Sequence, residues 1–183
     1  LLVSLRIRQL ALPYMQAFAD REHGSVSMGM RSGSLMVYVE TCRSHDSLVF
    51  RPDVGGAIPM VSTAMGRAWL AAHSAGARDK LLAELRAHDP GGWRAHRTAT
   101  LEELRAFSER GFCISRGDFQ AEVHAAAVPL ASVVDGEVLA LNCGAPAVLL
   151  GADGLVSRIG PRLVALARTI DEAWAKECRD ARV

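Results

Sequence analysis

At 183 residues, with 50% hydrophobic and 22% charged side chains, the chain is long enough to bury one sizeable core. Its composition is too ordinary for a disordered, collagen-like or disulfide-stapled protein. A formal net charge of +1 excludes a broad basic face of the kind that grips nucleic acid through its phosphates. No apolar run reaches the roughly 18–20 residues of a membrane-spanning helix, so no membrane partner is expected.

Taken in order, the chain opens on Leu1-Leu2-Val3, without the charged flank or cleavage site of a signal peptide and without an initiator methionine. It therefore reads as a fragment or processed form. From Leu5 to Glu22, Ile7, Leu10, Tyr14, Ala17 and Phe18 recur at helical spacing, which predicts an amphipathic helix broken or restarted at Pro13. Gly24 is the expected left-handed stop. Val26, Met28 and Met30 alternate with small or polar residues, Arg31-Ser32-Gly33-Ser34 reads as a turn, and Leu35–Val39 as a returning strand buried on both faces. Leu48-Val49-Phe50 predicts a third short strand. Cys42-x-x-His45, with no second pair nearby, falls short of a metal site.

Between Gly55 and Ala72 the sequence runs Gly-Gly-Ala-Ile-Pro-Met-Val-Ser-Thr-Ala-Met-Gly-Arg-Ala-Trp-Leu-Ala-Ala. Gly55 and Gly56 loosen the backbone, Pro59 halts regular structure, and Ser62 and Thr63 are N-capping residues for an alanine-rich helix. The first turn of such a helix carries free N–H groups and the positive end of the dipole, so it can receive a carboxylate or phosphate without a cationic side chain. A second helix is predicted from about Ala77 to His88. Asp89-Pro90-Gly91-Gly92 breaks the run, Trp93–Arg97 reads as a basic loop, and Thr100 with Glu103 as a capping box for a third helix that ends at Gly111.

Phe112–Ser115 reads as a strand and Arg116-Gly117-Asp118 as a loop. Val123–Val134 and Val138–Asn142 form a hairpin about Asp135-Gly136, and Gly144-Ala145-Pro146 ends the sheet. Leu155, Ile159, Leu163, Leu166, Ile170 and Trp174 mark a long final helix kinked at Gly160-Pro161. Hairpin-joined strands with helices grouped between them predict an α+β fold on an antiparallel sheet.

The chemistry of catalysis is sparse. Of six histidines, only His124 lies in an apolar strand, where a core or pocket-edge role is expected. There is no nucleophile elbow, dinucleotide fingerprint or phosphate loop. Cys42, Cys113, Cys143 and Cys178 include no Cys-x-x-Cys pair, which indicates free thiols in a reducing cytoplasm. Binding explains such a chain better than catalysis. No enzyme activity, cofactor or metal is expected.

The central stretch, read as Gly-x-x-Ile-Pro-x-x-x-Thr-Ala-x-Gly-Arg-Ala-x-Leu-Ala, resembles the effector-binding domain of IclR-type bacterial transcriptional regulators. Leu101–Leu104, Glu109-Arg110-Gly111-Phe112, Ala126–Leu130 and Asp135–Leu141 with Gly144-Ala145-Pro146 are similar to that domain's C-terminal half. The resemblance spans nearly the whole chain. It implies a GAF-like/profilin-like antiparallel sheet of about six strands with helices packed on it, residues 1–22 forming a linker and first helix and 23–183 the effector-binding domain. It also implies self-association as dimers or tetramers, and contact with DNA through a winged helix-turn-helix domain outside this chain.

In the resembled family a small-acid effector lies between the sheet and the start of the central helix, its carboxylate received by backbone amides. Here those amides are Ala64 and Met65, with Met60, Ser62 and Thr63 close by. Members that bind small keto acids carry an aspartate, a cysteine and serines at positions matched here by Ser115, Ala125, Asn142 and Gly144, with Val123 replacing a leucine. These replacements lower polarity and add space. They imply a larger, more apolar organic acid, aromatic acids included, rather than a two- or three-carbon keto acid. A different class of function, a GAF-like domain with thiol redox activity at Cys113 or Cys143, remains the alternative.

Overall fold

A computed structural model describes residues 2–44, 52–150 and 153–181. Among them are six strands: β1 (Ser25–Ser32), β2 (Leu35–Arg43), β3 (Ala57–Pro59), β4 (Cys113–Arg116), β5 (Val123–Val134) and β6 (Glu137–Pro146). They form one sheet in the order β3-β2-β1-β6-β5-β4, every pair antiparallel. The β1–β2 hairpin turns through Gly33 (φ 62°) and the β5–β6 hairpin through Asp135 and Gly136 (φ 52° and 83°), the left-handed geometry that a tight hairpin demands. The α+β antiparallel class read from the sequence is the observed one.

Period-two alternation assigns each strand residue to one of two cores. Val26, Met28, Ala126, Val128, Leu139, Leu141 and Cys143 pack beneath α1 (Leu2–Glu22) and α6 (Gly160–Asp180). The opposite face carries Met36, Tyr38, Ala127, Ala140 and Cys113, and packs against α2 (Ala64–Ala71), α3 (Ala75–His88) and α4 (Pro90–Arg110). Gly29, Ala125, Ala127 and Ala140 keep this second face shallow, so that α2 can lie on it with all eight of its residues buried. A Cβ at Gly29 would fall 2.4 Å from Met65 Sδ.

Several local expectations are corrected. Helix α1 runs through Pro13 without a break. Leu12, Pro13 and Tyr14 are exposed, so the carbonyl that Pro13 cannot engage faces water. The stripe α1 buries is Ile7, Ala11, Met15 and Phe18, not the one through Tyr14. His23 (φ 53°), not Gly24, takes the left-handed stop. Gly24 is needed for close approach instead: a Cβ there would sit 3.0 Å from the Gly144 carbonyl oxygen. Residues Ala57–Pro59, read as irregular, form edge strand β3, where a proline's missing donor costs no ladder bond. The strand predicted at Leu48–Phe50 and the His45 of the Cys-x-x-His pair lie outside the described residues.

The largest correction concerns α4. Trp93–Arg97 is helical, and Thr100 is no cap. Asp89 caps the helix by accepting from the Gly92 amide at 2.9 Å, Pro90 stands in the first turn, and Thr100 Oγ1 donates to the Val61 carbonyl at 2.8 Å in the interior. Gly111 ends α4 as expected, with φ 79°. Strand β6 continues to Pro146, followed by the short α5 (Ala147–Leu150). The expected kink at Gly160-Pro161 is replaced by a π-helical turn, Leu155–Ile159, leading into α6. A Cβ at Gly160 would meet the Phe112 ring at 2.3 Å.

Among the described residues no helix is long and apolar enough to cross a membrane.

Candidate functional site

The start of α2 is built by Thr63. Its hydroxyl donates to the Pro59 carbonyl at 2.6 Å and accepts from the Gly66 amide at 3.2 Å, while its carbonyl accepts from the Arg67 amide. The Ala64 and Met65 amides find no protein acceptor among the described residues. They are the unspent donors at the positive end of the helix.

In front of this turn lies a small cavity of about 30 Å³, lined by Tyr38, Ile58, Thr63, Ala64, Ser115, Phe119, Gln120, Val123, Ala125 and Asn142. Strand register explains the grouping. Ser115, Ala125 and Gly144 stand in one row across β4, β5 and β6, and Asn142 stands in the adjoining row beside Ala127 and Ser27. The walls are mostly apolar, and no carboxylate, lysine or arginine lines the space.

Six of the ten residues singled out from sequence, Thr63, Ala64, Ser115, Val123, Ala125 and Asn142, line this cavity. The other four do not. Met60 is buried beside the backbone of Gly66 and borders a separate groove with Pro59, Leu85 and His88. Met65 is buried against Gly29. Ser62 is buried, and its carbonyl accepts the Ser115 hydroxyl at 3.1 Å. Gly144 offers only backbone within the sheet.

Four lining residues escaped the sequence reading: Tyr38, Ile58, Phe119 and Gln120. Tyr38 lies in the run Leu35–Val39, which is apolar throughout, so alternation gave no sign of the face it takes. Phe119 and Gln120 belong to an irregular loop with no pattern to reveal them.

Two polar side chains at the cavity differ in kind. Ser115 is consumed by its bond to Ser62. Asn142 is 5% exposed, and its Oδ1 has no partner. Burial pushes the Tyr38 phenol up to about 12, and the Asn142 amide alongside pulls it partly back. Tyr38 is therefore a neutral hydroxyl throughout the physiological range.

The outer wall is the 117–122 segment between β4 and β5, anchored by a buried cation. Arg67, 1% exposed, donates through Nε to the Val61 carbonyl (3.1 Å) and through NH1 to the Ile114 carbonyl (2.9 Å), and pairs with Asp118 at 2.7 Å. Gly117 (φ 77°) opens the loop, and Phe119 is 43% exposed above the cavity.

The thiols are poorly placed for redox chemistry. All four cysteines are free, with Cys42, Cys113 and Cys143 buried. Burial, with some help from Glu103 and Glu22 respectively, pushes Cys113 and Cys143 up to about 12 from the ordinary 9.0. Such groups supply almost no thiolate near neutrality. Among the described residues no cluster of histidine, cysteine or carboxylate could hold a metal ion.

A pH dependence follows. In the folded chain Cys113 and Cys143 stay protonated past the pH at which the unfolded chain loses those protons. Their stabilising contribution is complete below about pH 9 and falls as pH rises toward 12, by about 1.4 kcal/mol per pH unit for each thiol. Urea midpoints should hold to about pH 9 and then drop steeply toward about pH 10.5, and at about pH 8 only the half-buried Cys178 should react quickly with a thiol reagent. A midpoint that held or rose above about pH 9 would contradict the burial.

Comparison with known proteins gives a consistent result. The family model described as bacterial transcriptional regulator IclR C-terminal matches residues 1–172. Two curated relatives align along most of the chain. The HTH-type transcriptional regulator TsaQ1/TsaQ2 of Comamonas testosteroni is 24% identical over 168 residues, 91% of this chain and 60% of that protein. The Pca regulon regulatory protein of Pseudomonas putida is 26% identical over 169 residues, 87% and 56% respectively. The chain thus spans less than two thirds of the length of either.

Among solved structures, an IclR family transcriptional regulator from Brucella abortus superposes with a TM-score of 0.87 at 34% identity, covering 94% of this chain and 65% of that one. An IclR homolog from Microbacterium hydrocarbonoxydans, solved in complex with 4-hydroxybenzoate, shares the fold with a TM-score of 0.74 at 22% identity, covering 94% and 70%.

Proposed function

Since the chain belongs to the family of IclR C-terminal domains of bacterial transcriptional regulators, we propose that it senses a small organic acid with an apolar, aromatic-sized body and reports that acid to a DNA-binding domain. The observation that carries the reading is the pair of unspent Ala64 and Met65 amides at the head of α2, with Ala64 opening onto an apolar-walled cavity. A carboxylate there gains charge-assisted hydrogen bonds and the helix dipole without any cationic side chain. The tyrosine, phenylalanine, valine and alanine of the walls suit a ring or branched chain rather than a two-carbon acid. The 4-hydroxybenzoate held by the Microbacterium protein supports the same chemistry.

Room for an aromatic acid has to be made, because about 30 Å³ accommodates about one water. The movable wall is the 117–122 loop. Swinging it outward about Gly117 opens the space above Val123 and Ala125 and strains or releases the Asp118–Arg67 pair. Binding and loop position are then linked: an acid shifts the ensemble only as far as it prefers the open form.

The regulatory part of the proposal extends past this chain. Residues 1–22 lead from the DNA-binding domain, residues 23–183 form the sensing unit, and the domain works in the cytoplasm as a dimer or tetramer whose arrangement the acid changes. It binds and does not transform its ligand. The buried, protonated Cys113 and Cys143 count against the thiol redox alternative.

Calorimetry and thermal-shift titration of the chain test the sensing role. At a benzoate-class acid concentration 100-fold above its Kd, stability should rise by about 2.7 kcal/mol, or roughly 5–10 °C in Tm. Light scattering with and without the acid reads the assembly. A response confined to pyruvate or glyoxylate, with none to aromatic acids, would defeat the proposal.

A further inference from the structure

Among the described residues that line the cavity, Asn142 has a buried side-chain atom, Oδ1, without a hydrogen-bond partner. It sits at the middle of β6, between Ala127 of β5 and Ser27 of β1. Its amide lies beside the Tyr38 hydroxyl, and its Oδ1 is buried without a donor. Three neighbouring hydroxyls have other partners, since Ser115 bonds the Ser62 carbonyl, Thr63 bonds the Pro59 carbonyl and Ser27 bonds Thr41, while the Tyr38 hydroxyl meets the amide of Asn142 and leaves Oδ1 unpaired. A buried amide oxygen left unpaired is a standing penalty, and a ligand that supplies the missing donor removes it.

We infer that Asn142 determines specificity within the proposed sensing site, selecting acids that carry a neutral hydrogen-bond donor, a hydroxyl or an N–H, away from the carboxylate. The cavity lining holds polar groups of opposite kind: the unspent amide donor of Ala64 and the unspent acceptor of Asn142. A hydroxy acid satisfies both at once. An acid without the substituent leaves Oδ1 dry. An acceptor-only substituent such as a methoxy group presents lone pairs to lone pairs, and a second carboxylate does so with a full negative charge and no cation lining the space to meet it. Discrimination of this kind works chiefly by penalising the wrong ligand.

The inference rests on the proposed sensing role, and the following experiment separates the two. Calorimetric titration of the chain would use benzoate, 3- and 4-hydroxybenzoate, 4-methoxybenzoate and terephthalate, repeated on Asn142→Leu and Asn142→Ser. In the native chain one of the hydroxybenzoates should bind about tenfold or more tighter than benzoate, with methoxybenzoate no better than benzoate and terephthalate weakest. Asn142→Leu should reduce the hydroxyl preference, read as the ratio of benzoate to hydroxybenzoate Kd, below about threefold.

Asn142→Ser, whose hydroxyl can donate or accept, should keep part of the hydroxyl preference and lose the discrimination against methoxybenzoate. It also covers the case in which the leucine variant fails to fold. Equal binding of benzoate and both hydroxybenzoates, a preference for methoxybenzoate, or a hydroxyl preference that survives Asn142→Leu would overturn the inference and leave the sensing role standing. Failure of every acid to bind would overturn both.

Discussion

Replacing Gly66 by alanine is expected to destabilise the domain by about 3 kcal/mol or more and to abolish acid binding. A Cβ at this position would fall 2.2 Å from the Met60 carbonyl oxygen and 2.3 Å from Met60 Cα. Both are main-chain atoms, so no side-chain rotation relieves the clash. The 59–63 turn has to move off the helix, taking with it the Thr63 cap and the orientation of the first-turn amides. Urea unfolding reads the stability, and calorimetry with a benzoate-class acid reads the site.

Gly76 is the internal control. It stands near the start of α3 with nothing within 4 Å of an added Cβ. Gly76→Ala should therefore be neutral to stabilising, by up to about 1 kcal/mol. Opposite signs at two helical glycines would show that packing against Met60, rather than glycine's backbone freedom, is what residue 66 provides. If Gly66→Ala folded with native stability and bound acid normally, the described helix start would be wrong.

Arg67→Met should cost about 3–5 kcal/mol, a fall in Tm on the order of 10 °C. The guanidinium ties together Val61 before α2, Ile114 on β4 and Asp118 in the cavity wall. Its removal strands the Ile114 carbonyl inside the protein and leaves the Val61 carbonyl with Thr100 alone. Arg67→Lys should recover only part of the loss, because one ammonium cannot follow the directions of the planar fork.

Asp118→Asn separates anchoring of the loop from support of the core. Asp118 is 27% exposed but its partner Arg67 only 1%, so removing the carboxylate leaves a buried guanidinium short of counter-charge and should cost about 1–3 kcal/mol, less than loss of the arginine itself. Loosening it should nevertheless speed acid association if the 117–122 loop gates the cavity. Stopped-flow association rates equal to those of the native chain would mean that the acid enters by another route.

The contrast between Gly66 and Thr100 shows what local sequence could and could not convey. Gly66 lies within a recognisable stretch, three residues after a capping threonine, and the helix start was legible because capping is settled within one turn. Thr100 with Glu103 carries the same local signature of a start, yet Thr100 lies in the interior of α4. Its hydroxyl found the Val61 carbonyl 39 residues away, and Glu103 found the Ile114 amide at 2.6 Å and Arg110. A capping box is only one use of those side chains, and tertiary partners outbid it here.

The unabsorbed proline at position 13 follows the same logic. Its local cost is real, but it falls on the wet face of a helix whose other face is fastened by Ile7, Ala11, Met15 and Phe18.

By itself the sequence determined every described strand except β3, the two left-handed hairpin turns, the capped start of α2, the long final helix and hence the antiparallel α+β class. Each depends on residues within a few positions of one another, where periodicity and backbone stereochemistry decide. Only the tertiary structure decided which polar groups are spent and which remain. Ser115 lost its hydroxyl to the Ser62 carbonyl 53 residues earlier, while the Oδ1 of Asn142 kept no partner. Tyr38 and Phe119, far apart along the chain, became walls of one cavity. Hydrogen-bond satisfaction inside a folded protein is a property of all the elements packed around a group, so it is fixed only when they have come together.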